Sequence, residues 1–423
     1  MMMITPTEHR DACIALATTA ATRRRTQKFR VQDCNTVATL PVLASDAEAQ
    51  LPIPPMNNSA MDGFLVHTQD LRGSGPWTLP VAGDVPAGAP PVEVPAGHAV
   101  RIMTGSAIIG SGLTVVPVEK TDIPAGPIEC PQYVTIDSSV PSEEENIRYR
   151  GENVGVGDRI ASAHSLIDAG TLAALISGGV HEVEVFPTVR VTLIATGNEL
   201  TDPTCSDTLD ESQIPDSNSS MLAHMVNDTR LATVRVLRVS DDPDAFSLAV
   251  AEAAATSDLI ITSGGISAGA FDVVKESLSS DRIQETTSMW FGKVLMKPGK
   301  PQGRGTVGNA IVICLPGNPV SSFVSFHLFA RPVIQALSGM QPQPLTSFQA
   351  PITGTLPLAR DRDILCRLFS IYTEVLPSLQ FPTLHISLVR SQVLMPSFMS
   401  LRLLIKDRKL FHLISRRKYV YSP

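Results

Sequence analysis

Between residues 189 and 337 short apolar runs alternate with helical stretches, and this alternation limits the possible folds more than any other feature of the chain. Residues 189–194, 232–240, 259–262 and 310–315 read as strands, and 219–227, 242–255, 273–278 and 319–337 as helices. Runs such as Leu259-Ile260-Ile261-Thr262 are apolar without a break, the pattern of a strand buried on both faces. Such alternation predicts a parallel sheet covered by helices on both sides, with ligands at the carboxyl ends of the strands. Asp216, Gly264, Asp272 and Gly317 all follow or flank those ends.

The chain has 423 residues, too many for one ordinary core, so about two to four domains are expected. Residues 5–50 read as helical, with Thr5 or Thr7 placed to cap the start. From 51 to 140 the texture turns to Pro, Gly and Val with short alternating runs at 92–94 and 114–118, which predicts a small β-rich domain. Glu143-Glu144-Glu145 with Arg148 and Arg150 reads as a solvated charge cluster or a return strand, and 160–180 as a helix stopped by Gly178-Gly179. A net charge of −7 argues against a general nucleic-acid binder. The six cysteines have no paired spacing and read as free thiols of a reducing cytoplasm, and the nine scattered histidines form no zinc-type cluster. No apolar run approaches the roughly 20 residues that span a bilayer, and Arg23-Arg24-Arg25 follow the mildly apolar 13–21 rather than precede it as in a signal peptide.

Two stretches carry chemistry. Ser263-Gly264-Gly265-Ile266-Ser267-Ala268-Gly269 leaves little side chain over the backbone after a strand, so consecutive N–H groups can converge on a phosphate or other oxyanion. Asp272 at the edge of that turn is placed to hold a cation against the same anion, although a tight strand-to-helix turn would read alike. Lys297-Pro298-Gly299-Lys300-Pro301 sets two ammonium groups on a loop stiffened by two prolines, with Lys293 close by; this suits an oxyanion, against the plainer reading of surface solubility. Asp216 and Asp242 are further carboxylates for a metal–phosphate region, yet Asp242 before Pro243 equally reads as a helix N-cap, and Asp216 as an Asx turn. Glu199 follows Thr196-Gly197-Asn198 at the end of a predicted strand, where by itself it reads as charge at a helix start.

Eight motifs occur in order. Residues 54–64 read Pro-Pro-Met-Asn-Asn-Ser-Ala-Met-Asp-Gly-Phe, 83–88 Gly-Asp-Val-Pro-Ala-Gly, and 101–107 Arg-Ile-Met-Thr-Gly-Ser-Ala. Asn146-Ile147-Arg148 with Gly151-Glu152-Asn153, Ala195-Thr196-Gly197-Asn198-Glu199-Leu200 and Asp216-Ser217-Asn218 follow. After the Ser-Gly-Gly turn come the Lys-Pro-Gly-Lys-Pro loop and Leu315-Pro316-Gly317-Asn318-Pro319-Val320-Ser321-Ser322. In order and spacing this set resembles the molybdopterin molybdotransferases, over roughly residues 1–350.

The resemblance implies an elongated, multidomain α/β chain: a helical linker domain (1–50 and 141–185), a β-rich domain (51–140), a parallel-sheet molybdopterin-binding domain (186–340) and a C-terminal domain from 341. It implies adenylylated molybdopterin and molybdate as substrates, molybdenum cofactor and AMP as products, and Mg²⁺ as cofactor. Asp62, Thr104, Glu199 and Asp272 would be catalytic; Ser263, Gly264, Gly265, Ser267, Gly269, Lys293, Lys297, Pro298, Lys300, Pro301, Pro316, Gly317 and Asn318 would bind substrate; Asp272, Asp242 and Asp216 would face the metal. It further implies a cytoplasmic homodimer in which Asp62 and Thr104 reach the other subunit's cleft, and contact with a molybdopterin adenylyltransferase, without nucleic acid or membrane. Such an adenylyltransferase is the nearest rival reading, but it is usually one small domain lacking the 58–64 and 101–107 motifs. A catalytically impaired scaffold of the same fold is the other.

The tail departs from this picture. Residues 355–423 hold no glycine, although the first 354 hold all 28. From Leu358 onward there are 11 Lys+Arg against 4 Asp+Glu, and three of the five tyrosines. The Gly-containing β-barrel of the family has no counterpart in that pattern. A reading-frame change near residues 360–365 accounts for so abrupt a shift; a basic interaction tail is the alternative.

Overall fold

The computed structural model describes residues 3–137, 145–202, 210–266, 273–280, 283 and 287–343, together with the strands Ser347–Gln349, Asp363–Leu368, His385–Val389 and Met399–Leu404. Its centre is a six-stranded sheet of β1 (Val189–Thr196), β2 (Ala232–Val239), β3 (Leu259–Ser263), β4 (Thr287–Lys293), β5 (Pro301–Val307) and β6 (Ala310–Leu315) in the order β2-β1-β3-β6-β5-β4. The first four in that order are parallel, β5 is antiparallel to β6, and β4 to β5. Strands β3 and β6 are buried throughout, which is why their sequences show no alternation. On one face Val191, Leu193, Leu259, Ile261 and Ile313 pack with the helix Ser217–Asp228 and the helical run from Pro319. On the other, Ile194, Ile260 and Val312 pack with Phe246, Val250 and Ala253 of Pro243–Thr256 and with Val273–Leu278.

The doubly covered parallel sheet agrees with the expectation; the β4–β5 hairpin was not foreseen. Pro301, Gly303 and Gly305 are poor strand formers and hide the period of β5. Glycine is needed there because β4 lies so close: a Cβ on Gly303 would come 2.7 Å from Phe291 Cε1. The expected single helix 319–337 is also divided, into Pro319–Ser325, a π turn at Phe326–Ala330 and Arg331–Leu337. Pro332 has no N–H to continue the ladder, and the wider turn absorbs the missing bond.

Residues 5–50 are not helical throughout. Helix Pro6–Ala21 starts with a capping box in which Glu8 N donates to Thr5 Oγ1 (3.2 Å) and Thr5 N to Glu8 Oε2 (2.7 Å). It ends at Ala21, and Cys13 and Ala17 join the core on one face of the six-stranded sheet. The strands Gln27–Arg30 and Val42–Leu43 then flank Glu182–Phe186 in an antiparallel sheet, stabilised by Val31, Leu43, Ile167, Leu175 and Val185. Pairing with a strand some 150 residues away overrides local helix preference. The expected helix at 160–180 is shorter, Ala169–Ser177, and Gly178 caps it.

The β-rich domain is a five-stranded sheet in the order Leu113–Pro117, Gly63–His67, Ala99–Ile102, Trp77–Val85, Tyr133–Ile136. Phe64 and Val66 pack on one face and Leu65 on the other, so this sheet is also covered on both sides. The run at 92–94 is not a strand, although Val94 is buried. Ile147–Arg148 pairs with Asn58–Ser59 as a short return strand; residues 138–144 lie outside the described residues. Met296–Lys297 joins the C-terminal strands Asp363–Leu368, Met399–Leu404, His385–Val389 and Ser347–Gln349 in another five-stranded sheet, in that order. Residues 350–362, where the change of texture begins, lie outside the described residues. Among the described residues no helix is long and apolar enough to cross a membrane.

Candidate active site

The carboxyl ends of β3 and β6 are tied together by Asn218 in the first turn of Ser217–Asp228. Its Nδ2 donates to Ser263 Oγ (2.9 Å) and to Gly317 O (2.6 Å). A Cβ on Gly317 would come 3.4 Å from Gly264 Cα, and one on Gly264 would come 3.4 Å from Thr196 O, so backbones meet here with no side chain between them. Gly264 (φ +99°) and Gly265 (φ +64°) are both left-handed, a conformation that glycine adopts without a steric penalty. The Gly264 amide donates to Leu315 O (3.1 Å), which ties the start of the turn to the end of β6. Ser267, Gly269 and Asp272 lie outside the described residues.

The two described metal candidates are both helix N-caps. Asp216 is 1% exposed; its Oδ1 accepts from Ser219 N (3.0 Å) and its Oδ2 from Arg238 Nε (2.9 Å). Arg238 reaches on to Asp202 Oδ2 (2.8 Å), and the hydrogen bond to Asp216 raises its pKa. Asp242 Oδ1 accepts from Asp244 N (3.0 Å) and Ala245 N (2.8 Å). Both oxygens of Asp216 are therefore occupied, whereas one oxygen of Asp242 is not used by its cap. Among the described residues no group of three or more His, Cys, Asp or Glu could hold a metal ion. These residues do not compose a metal cage by themselves. Glu199 is exposed and lies over Gly197, whose added Cβ would stand 2.8 Å from Glu199 Oε2. Asn318 caps Pro319–Ser325 through Ser321 N (3.2 Å), and Pro316 O accepts from Ser322 Oγ.

The hairpin brings the lysines to the same edge of the sheet. Because β5 runs antiparallel to β6 and β4 to β5, Pro301 and Lys293 pair with each other beside the carboxyl end of β6. At about 4.8 Å per strand, Lys293 stands about 14 Å across the edge from Ser263. The turn between them carries Lys297, Pro298 and Lys300. Among the described residues none of the three lysines is ion-paired with a carboxylate.

Asp62 and Thr104, 42 residues apart, meet in the β-rich domain: Asp62 Oδ1 accepts from Thr104 N (2.6 Å) and Thr104 Oγ1 (2.7 Å). Donation first from that amide and then from the hydroxyl lowers the Asp62 pKa. The site residues thus fall into an α/β-edge group and a β-domain pair. Asn218 and Arg238 are absent from the residues expected from sequence. The Asp216-Ser217-Asn218 motif contains Asn218, but only the fold shows what Arg238 faces. A groove of about 620 Å³ lined by Lys28, Asp46, Glu48 and Glu182 lies in the three-stranded unit and contains none of these residues.

Residues 4–179 match the family described as "MoeA N-terminal region (domain I and II)", and 192–336 the "Probable molybdopterin binding domain". The chain is 38% identical over 327 residues to "Molybdopterin molybdenumtransferase 2" of Mycobacterium tuberculosis (strain CDC 1551 / Oshkosh), covering 76% of this chain and 78% of that one. It is 33% identical over 302 residues to the Haemophilus influenzae "Molybdopterin molybdenumtransferase", 71% of each chain. The moeA protein of Pyrococcus horikoshii OT3 shares the fold, with a TM-score of 0.68, 20% identity and coverage of 95% of this chain and 100% of that one. Fold and matches define a protein with a MoeA-type N-terminal region followed by a molybdopterin-binding α/β domain. The chain belongs to the molybdopterin molybdenumtransferase family, transferases of molybdenum cofactor biosynthesis.

Proposed function

We propose that the chain transfers molybdenum from molybdate to adenylylated molybdopterin and releases AMP, with molybdate received by Lys293, Lys297 and Lys300. The observation that carries this reading is the placement of three lysines without carboxylate partners among the described residues on the sheet edge that holds the Ser263–Gly265 turn. Both reactants are anionic. Fixed positive charge lowers the repulsion between them, and backbone amides of the glycine turn orient the phosphates. Glu199, Pro316, Gly317 and Asn318 border the same edge, and Asn218 fixes its width. Mg²⁺ would supply charge neutralisation on the phosphates, held by Asp272 and the open oxygen of Asp242, since this ion usually takes one or two carboxylates with waters and phosphate oxygens.

The purified chain should release AMP from adenylylated molybdopterin only when molybdate is present. Pyrophosphate release from ATP and molybdopterin would instead identify an adenylyltransferase, and substrate binding without either product an impaired scaffold. Persistence of full activity in excess chelator would remove Mg²⁺ from the proposal.

We further propose a cytoplasmic homodimer in which Asp62 and Thr104 of one subunit complete the α/β edge of the other, with an adenylyltransferase as the supplier of the nucleotide substrate. Mixing an Asp62→Asn chain with a Lys297→Ala/Lys300→Ala chain should then restore up to about half of the activity per mixed dimer, because one of its two sites is intact. Subunit exchange without recovery would place both groups within one subunit.

A further inference from the structure

We infer that Gln302 is a positioning residue for oxyanion capture: its buried side-chain amide locks the 297–300 turn against the helix Pro319–Ser325. Gln302 is 1% exposed, and a glutamine so deeply buried needs partners. Its Nε2 donates to Gly299 O (2.8 Å) and to Ser325 Oγ (2.8 Å), and Ser325 is itself fully buried. Gly299 is left-handed (φ +95°) and sits against those same groups: an added Cβ would come 3.0 Å from Met296 Cε, 3.1 Å from Ser325 Oγ and 3.4 Å from Gln302 Nε2. On the other side Val294 N donates to Lys300 O (2.8 Å). The turn is therefore pinned at two consecutive carbonyls, those of Gly299 and Lys300.

The amide is retained at a cost. Gln302 Oε1 is buried and has no partner among the described residues. A leucine of similar size would fill the space without that cost but would leave Gly299 O unpaired. What glutamine contributes is a fixed turn, so that two long, flexible ammonium side chains start from set backbone positions and lose less freedom on binding.

The inference rests on Lys297 and Lys300 as the oxyanion ligands, so Lys297→Ala is measured beside Gln302→Leu with molybdate and adenylylated molybdopterin. Gln302→Leu should raise the KM for molybdate about tenfold, as loss of one hydrogen bond to a buried carbonyl implies. Its kcat at saturating molybdate should stay within about threefold and the KM for the pterin nucleotide should not move, since charge and chemistry are untouched. An unchanged molybdate KM, or a fall in kcat alone, overturns the positioning role. If Lys297→Ala leaves the molybdate titration unchanged, the lysine reading itself fails; if Lys297→Ala weakens it and Gln302→Leu does not, only the present inference fails. Should Gln302→Leu not fold, Gly299→Ala decides the matter: a selective rise in the molybdate KM supports the lock, and an unchanged KM refutes it.

Discussion

Replacing Lys297 and Lys300 together by alanine is expected to raise the molybdate KM about a hundredfold or more, with binding of the pterin nucleotide retained. Charge-assisted contacts contribute about 1.5–3 kcal/mol each, and each 1.4 kcal/mol is about tenfold, so two independent lost contacts amount to about a hundredfold or more. The effect should be large because neither lysine is neutralised by a carboxylate among the described residues, so both charges are available to the ligand. Raising ionic strength should weaken the wild-type titration more steeply than that of the double variant, which keeps only Lys293 of the three lysines. A molybdate titration identical in the two proteins would remove these lysines from the site.

Acid should destabilise the α/β domain well above the ordinary carboxylate range. His9, fully buried in the first helix, accepts at Nδ1 from Arg304 Nη1 (2.5 Å), and the Arg304 guanidinium lies 4.0 Å from the Trp290 ring centre. Burial, followed by repulsion from Arg304, pushes the His9 pKa down from 6.5 to about 3. Burial beside Arg331 likewise lowers that of His327 to about 4. A histidine with a depressed folded pKa is protonated first in the unfolded chain. Its contribution is therefore complete above pH 6.5 and is lost as pH falls toward the folded value. Each such residue gives a slope of about 1.4 kcal/mol per pH unit within that window. Denaturant unfolding at pH 7, 6 and 5 should show this slope. His9→Asn keeps an acceptor near Nδ1 without titrating there; it should lower stability at pH 7 through lost ring contacts, yet reduce the slope by about one proton. An unaltered slope would show that His9 is protonated as readily folded as unfolded.

Local chemistry made much of this protein legible in one dimension. The unbroken apolar runs of β3 and β6 identify strands buried on both faces, because only a sheet covered by helices on each side hides every residue. Gly264-Gly265 identifies a turn that other residues resist, and Asp242-Pro243 carries its helix cap within two positions. The eight ordered motifs gave the family, which the matches at 33% and 38% identity support. Elsewhere the decisive partner is distant. Residues 27–30 left the helical expectation because they pair with 182–185, and β5 is obscured by glycines whose purpose is visible only once Phe291 lies against Gly303 and Met289 against Gly305. Asp216 offered a carboxylate to any reader of the sequence, but Arg238, arriving from the next strand, occupies one of its oxygens while the helix occupies the other. Gln302 carried no signal at all. Sequence determines which conformations and charges are available locally; which groups meet, and so which carboxylates and lysines remain free for a ligand, depends on strand order and burial between segments far apart in the chain.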